Sequence, residues 1–400
     1  MKHRLYRCLA VVLGLAMLFS LAACGSAQTE AAAQTPAASS AEFTDRDLSQ
    51  EANLTDATEA VLTDGSTLTI ETEGVYTVSG SAKNAQIIVD APDDAKVQLV
   101  LDGLTVENDS TPVVYVKSAD KVFVTTAEGS DNRLSVTGAF TADGDTNTDA
   151  VIFSKDDLVL NGLGALQIES SDNGVSCKDE LKITGGTLTV DAASDALEAN
   201  DAISVADGTL TITAGKDGLH AENDEDDSVG SITIFGGTLD ITAQSDGIQG
   251  TTLTEISGGT ITVTAAEGIE GTCVRISGGD ITISASDDGV NASAKSSALT
   301  PSIEISGGAL TVTMAQGDTD AIDSNGSIVV SGGTVNITAQ FAFDFDTGAE
   351  HTGGTITVNG QTVDEITSSM MGGPGGMQGG PGQMPGGPGQ MPGGPGGGHP

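Results

Sequence analysis

One phrase recurs down the middle of the chain: a glycine pair, a short alternating strand such as Thr187-Leu188-Thr189-Val190, then an acidic residue followed by Gly or Ala and an aliphatic, and a second apolar run. The second glycine of the pair, or its equivalent, falls at Gly186, Gly208, Gly237, Gly259, Gly279, Gly308, Gly333 and Gly354, at intervals of 22, 29, 22, 20, 29, 25 and 21 residues. Self-similarity at this period builds a solenoid, because a single coil cannot bury its own apolar face and must stack on the next.

Each coil has room for three short strands and shows no helical pattern, which argues for a parallel β-helix. A leucine-rich repeat would need an Asn or Cys ladder, and a Ca²⁺-binding β-roll would repeat every nine residues or so; neither pattern is present. The strands of a β-sandwich would not share one phrase so many times. Inserts break the period at 222–230 and 293–302, and looser coils over 75–168 extend the solenoid upstream. Roughly a dozen coils at ~4.8 Å each make a rod of about 60 Å. Phe341, Phe343 and Phe345 are placed to close its apolar bore.

Stacking the coils aligns Asp149, Asn173, Asp195, Asp217, Asp246, Glu267, Asp288 and Asp320 in one file. Three residues on lies a second, with Ser176, Glu198, His220, Gln249, Glu270, Asn291, Asp323 and Asp344. Carboxylates ~4.8 Å apart repel by about 3 kcal/mol per pair at an effective dielectric near 20, so the files need counter-charge. Ca²⁺, which takes oxygen from carboxylates, amides and carbonyls, is the expected supplier. The candidate ligands are Asp195, Glu198, Asn200 and Asp201; Asp217, Glu222, Asp224 and Asp226; Asp246, Glu267, Glu270, Asp288 and Asn291; and Asp318, Asp320 and Asp323. His220 reads as an outward polar residue of the file, since Ca²⁺ prefers oxygen.

Composition narrows the partners. With 15 Lys and Arg against 56 Asp and Glu, a net charge of −41 excludes nucleic acid, whose phosphates need basic residues. There is no Trp to stack on neutral sugar rings. Residues 1–23 read as a signal peptide, with Lys2, Arg4 and Arg7 ahead of the apolar run Leu9–Leu21. The sequence Leu21-Ala22-Ala23-Cys24 resembles a bacterial lipobox, which implies export and lipidation at Cys24 to hold the protein on the outer face of the cell membrane. Residues 24–60 are expected to be a flexible linker, 61–368 the β-helix, and 369–400 a low-complexity Gly/Pro/Met tail. Cys177 and Cys273 fall four coils apart, too far for a disulfide, and read as buried small residues.

The segments Gly80–Asp90, Leu99–Val106, Ser154–Leu158 and the Gly-Gly-Thr…Asp-Gly-Ile phrases from 185 to 338 resemble the secreted carbohydrate-binding β-helices of anaerobic bacteria that bind pectin and cellulose. The resemblance implies a single-stranded right-handed parallel β-helix close to pectate lyases, bound Ca²⁺, affinity for acidic polysaccharide such as polygalacturonate, and no established catalysis. It marks the Asp-Gly-Ile positions as Ca²⁺ neighbours and assigns no sugar contact. A polymer of the protein's own sign needs a bridge, and Ca²⁺ between protein and uronate carboxylates provides one. The expected protein is therefore a monomeric, Ca²⁺-dependent polysaccharide binder and not an enzyme. A polysaccharide lyase would instead use Lys216, beside Asp217, as base, with Lys178, Lys182 and Arg275 as further candidates. A passive surface adhesin is the third class.

Overall fold

The computed structural model describes residues 42–317 and 319–368. The lipobox at Cys24, residues 1–41, Asp318 and the tail from 369 lie outside the described residues.

Alternating sequences such as Thr187–Ala192 form strands that bury every second side chain. Paired strands run parallel throughout, apart from a closing hairpin between Thr355–Val358 and Gln361–Val363. Each strand pairs with its equivalent one coil away, so three stacks develop. The first, sheet 1, contains Asn173–Cys177, Leu197–Ala199 and Leu219–Ala221. Sheet 2 contains Glu180–Ile183, Ala202–Val205 and Ser231–Ile234. Sheet 3 contains Thr187–Ala192, Thr209–Ala214 and Thr238–Ala243. This is a parallel β-helix, as the period predicts. Leu188 stacks on Leu210 and then Leu239, and Val190 on Ile212 and then Ile241, so like packs on like through the bore. Each such buried side chain contributes about 1.5–3 kcal/mol.

Two coils turn the corner from sheet 1 to sheet 2 without a loop, in the continuous strands Asp246–Ile256 and Glu267–Ile276. The inserts at 222–230 and 293–302 leave that same corner on either side of them and meet, Ser297 N donating to Asp227 Oδ2 at 2.9 Å. Cys177 lies in sheet 1 and Cys273 in sheet 2, both buried and unbridged. Burial raises the pKa of the Cys177 thiol. Of the three phenylalanines expected to close the bore, Phe343 stacks inward on Ile322 and is buried, Phe345 packs partly on the core, and Phe341 pairs with Asp320 at the strand's start.

The flexible linker expected over 24–60 needs correction at its C-terminal end. Residues 42–50 form a strap across sheet 2, with Phe43 and Asp47 buried. Asp47 has a physical reason to stay: its carboxylate lies 3.5 Å from Lys121 Nζ, and its carbonyl accepts from Thr184 Oγ1.

Candidate functional site

The acidic files form the outer edge and outer face of sheet 1. In the middle of the first file a side chain ties one coil to the next: Asp195 N donates to Asn173 Oδ1 at 3.0 Å, Asp217 N to Asp195 Oδ1 at 3.0 Å, and Asp246 N to Asp217 Oδ1 at 2.8 Å. Asp320 N donates to Asp288 Oδ1 at 3.3 Å. One oxygen of each of these residues therefore serves the fold. The carboxylates keep a second oxygen for other partners.

The counter-charge differs along the file. At the upstream end the protein supplies its own. Lys178 Nζ lies 3.0 Å from Glu198 Oε1, whose other oxygen accepts from Asn173 Nδ2 at 2.7 Å. His220 contacts Asp195 Oδ2 at 3.4 Å, Asp217 Oδ2 at 3.7 Å and Glu222 Oε2 at 3.0 Å. Burial works against charge on His220, but the hydrogen bond and charge of Asp195, with the charges of Asp217 and Glu222, outweigh it and push its pKa up to about 9. His220 is thus an internal cation at neutral pH. The sequence shows it only as a polar member of the second file; its place three residues after Asp217, with Glu222 two residues on, is the signal of an acidic surrounding.

In the next two coils, Asp246, Glu267 and Glu270 bring carboxylate oxygens within 4.8 Å of one another. Among the described residues, the ammonium paired with them is Lys295, from the second insert, 2.8 Å from Glu270 Oε2. Burial first, then the charges of Asp217, Glu267 and Glu270, drive the Asp246 pKa well above the usual carboxylate range. Asn291 Nδ2 donates to Glu267 at 2.9 Å and Glu270 at 3.2 Å, while its buried Oδ1 has no hydrogen-bond partner. Burial also pushes Asp288 up to about 7, against the N–H of Asp320 and with the charges of Asp323 and Glu267.

The other predicted ligands do not converge on these groups. Asp201 accepts from Asn223 Nδ2 at 2.9 Å, and Asn200 sits in the following turn with its N–H on the Cys177 carbonyl. Asp224 and Asp226 are exposed on the first insert, Asp226 bonded to Ser228. Glu222 joins through His220 alone. Asp320 and Asp323 continue the two files, and Asp318 lies outside the described residues. Lys216 is 64% exposed and 4.0 Å from Asp195, the geometry of a solvated ion pair.

Upstream, the second file continues into aromatic rings that the acidic pattern does not reveal: Ser176 pairs with Phe153, and Phe153 with Tyr115. The two rings meet edge to face at 5.7 Å, with Lys117 4.9 Å from the Tyr115 ring centre and Lys178 5.8 Å from that of Phe153. Sheet 1 therefore runs from an end with aromatic rings and lysine–carboxylate pairs to one dominated by carboxylates.

A solenoid with one outer face lined by charged and hydrogen-bonding groups is of the class that uses extended faces for binding. Within that class, the family described as "Carbohydrate-binding domain-containing protein" matches residues 64–321, more than half of the chain, and the chain belongs to it. A protein of the same description from Acetivibrio thermocellus is 37% identical over 116 residues, covering 28% of this chain and 41% of that protein. The chain thus spans less than half the length of that relative. Among solved structures, that of the polysaccharide lyase-like protein from C. thermocellum, a gadolinium derivative, aligns with 56% of this chain and 93% of its own, at 30% identity and a TM-score of 0.49. The family is named for carbohydrate binding.

Proposed function

We propose that this protein is a lipid-anchored, monomeric surface binder of acidic, uronate-rich polysaccharide, held along sheet 1 through Ca²⁺. The observation that carries the reading is the Asp246, Glu267 and Glu270 group. Three carboxylates against one ammonium leave about two charges unbalanced when ionised, which suits a divalent ion. Their oxygen separations of at most 4.8 Å fit ligands around one Ca²⁺, whose bonds are about 2.3–2.6 Å long. The unpartnered Asn291 oxygen is a further hard donor beside them. The Asp195, Asp217 and His220 group fits less well, because a nitrogen already carrying a proton replaces one oxygen. When bound, Ca²⁺ supplies positive charge that a uronate carboxylate can share. The chain's own residues do the rest: Asp246, Glu267 and Glu270 fix where that charge sits, and Asn291 Nδ2 holds Glu267 and Glu270 together.

The test is calorimetric titration with polygalacturonate in millimolar Ca²⁺ and then in EGTA, while following absorbance for unsaturated product. Binding is expected in Ca²⁺ only, without product. Glu267→Gln with Asp246→Asn is expected to weaken it at least about tenfold, the loss of one well-made charge contact. Equal binding in EGTA would remove the metal from the reading. Accumulating product would replace the binder by a lyase and make Lys216 the first residue to change.

A further inference from the structure

The strap of residues 42–50 lies over a part of sheet 2 that gathers groups scarce in this acidic chain. Phe123, Lys182 and Ser204 belong to one outward row, while Asn161, Thr184 and Phe235 line the next; Lys121 stands at the edge. All but Phe235 and Lys121 are buried beneath the strap or its neighbours. Phe43 meets the Phe235 ring edge to face at 5.5 Å, and Arg46 lies 4.5 Å over Phe123. The Glu42 carboxylate takes the Ser204 hydroxyl, and its carbonyl accepts from Lys182 Nζ at 2.7 Å. Asp47 pairs with Lys121, and Asn161 Nδ2 donates to the Ser49 carbonyl at 3.1 Å. Gln50 drops its amide between Gly162 N, at 3.0 Å, and the Thr184 carbonyl, at 2.8 Å.

None of this is strand pairing. The strap is held mostly by side chains of the sheet that reach outward; it offers them carboxylates, carbonyl oxygens, one ring and the Arg46 guanidinium, and it adds the Gln50 amide to two backbone groups. An acidic oligosaccharide offers the oxygen and ring part of that set: carboxylates for Lys121 and for Lys182 with Ser204, hydroxyls for Asn161 and Thr184, and ring faces for Phe123 and Phe235.

We infer that sheet 2 carries a second, Ca²⁺-independent binding face for acidic oligosaccharide, and that the acidic strap is its internal occupant. The inference rests on the reading of the chain as an acidic-glycan binder, but on different residues and without the metal. A segment outside the strand ladder can leave without unfolding a coil, so the face is covered while the strap is seated and opens when the strap is released.

A single methyl group tests it. A Cβ at Gly185 would lie 1.9 Å from Gln50 Oε1, so Gly185→Ala in the full chain ejects the Gln50 anchor. Phe43→Ala with Gln50→Ala releases the strap from its own side and leaves the sheet untouched. Release is read as trypsin cleavage after Arg46, and binding as calorimetric titration with trigalacturonate in EGTA. Both variants are expected to be cut at least about tenfold faster than the native protein and to bind trigalacturonate in EGTA, where the native protein does not; Lys182→Met added to either is expected to abolish that binding. Faster cleavage without binding in EGTA would overturn the inference. That result is distinct from a failure of the native protein to bind polygalacturonate in Ca²⁺, which would count against sheet 1 and leave sheet 2 to be decided by the EGTA arm.

Discussion

In Ca²⁺-free buffer the thermal midpoint of this protein is expected to fall as pH rises from about 4 to about 9, the reverse of the usual acid denaturation. The buried carboxylates of sheet 1 set the sign. Asp288 has its pKa at about 7 and Asp149 at about 6 because burial, ahead of neighbouring acids, disfavours their charge, and Asp246 is raised by the same causes. In the unfolded chain these groups ionise near pH 4, so above that pH the folded state binds more protons and loses stability until its own pKa values are passed. His220 adds to the slope. Its pKa of about 9 contributes stability that is complete below about 6.5 and lost as pH climbs through about 9. Asp195 works the other way, since its pKa is lowered: burial opposes this, but the hydrogen bonds from His220 and Asp217 N prevail. Its contribution is lost only below the ordinary carboxylate range, outside the window. Ca²⁺ at millimolar concentration is expected to flatten the slope by giving Asp246, Glu267 and Glu270 a partner for their ionised form. Scanning calorimetry in EGTA and in Ca²⁺ measures both. A midpoint that rises with pH in EGTA would contradict the burial of these carboxylates as ionisable groups, and identical slopes would argue against a metal there.

Gly308→Ala is expected to cost about 2–4 kcal/mol and to lower the midpoint by roughly 5–10 °C. Gly308 opens the turn into the sheet 3 strand Ala309–Met314 with φ at +75°, and a Cβ there would lie 2.6 Å from the Gly278 carbonyl oxygen of the preceding coil. The first fact costs about 1–2 kcal/mol for any side chain. The second adds a clash with backbone that cannot rotate away. Gly103→Ala separates the two, because Gly103 has φ at +70° with nothing within 4 Å of its would-be Cβ. It should show only the conformational part. Equal midpoints for the two variants would mean that the coils spread to admit a methyl group, contrary to the close stacking of the glycine turns.

The solenoid was legible because each coil repeats its neighbour's problem. The second polar file follows the observed register from Ser176 through Glu198, His220, Gln249, Glu270, Asn291 and Asp323 to Asp344. Periodicity fixes which residues share a level, and the geometry of a parallel strand stack does the rest. What the period could not give was how charge is answered across levels. His220 faces Asp195 of the preceding coil as well as its own Asp217, and Lys295 returns from an insert to Glu270. The acids of the first insert, Asp224 and Asp226, looked as dense as those of the files, yet an insert obeys no register and leaves them in solvent. The strap was invisible for the same reason: Gln50 and Thr184 are 134 positions apart, and no repeat links them.

The strap also changes how the molecule answers a pull. A stack of coils that touch only their neighbours peels from its ends one turn at a time, each step breaking a single row of bonds. Force entering at residue 42 meets contacts to Ser204, Lys182, Phe235, Thr184, Asn161 and Lys121, spread sideways over several turns. These are loaded together, in shear, before the first coil at Thr58–Leu62 is stretched at all. A body tethered at that end would shed its load into the middle of the rod, leaving the opposite end, closed by a small hairpin, as the place where unravelling begins.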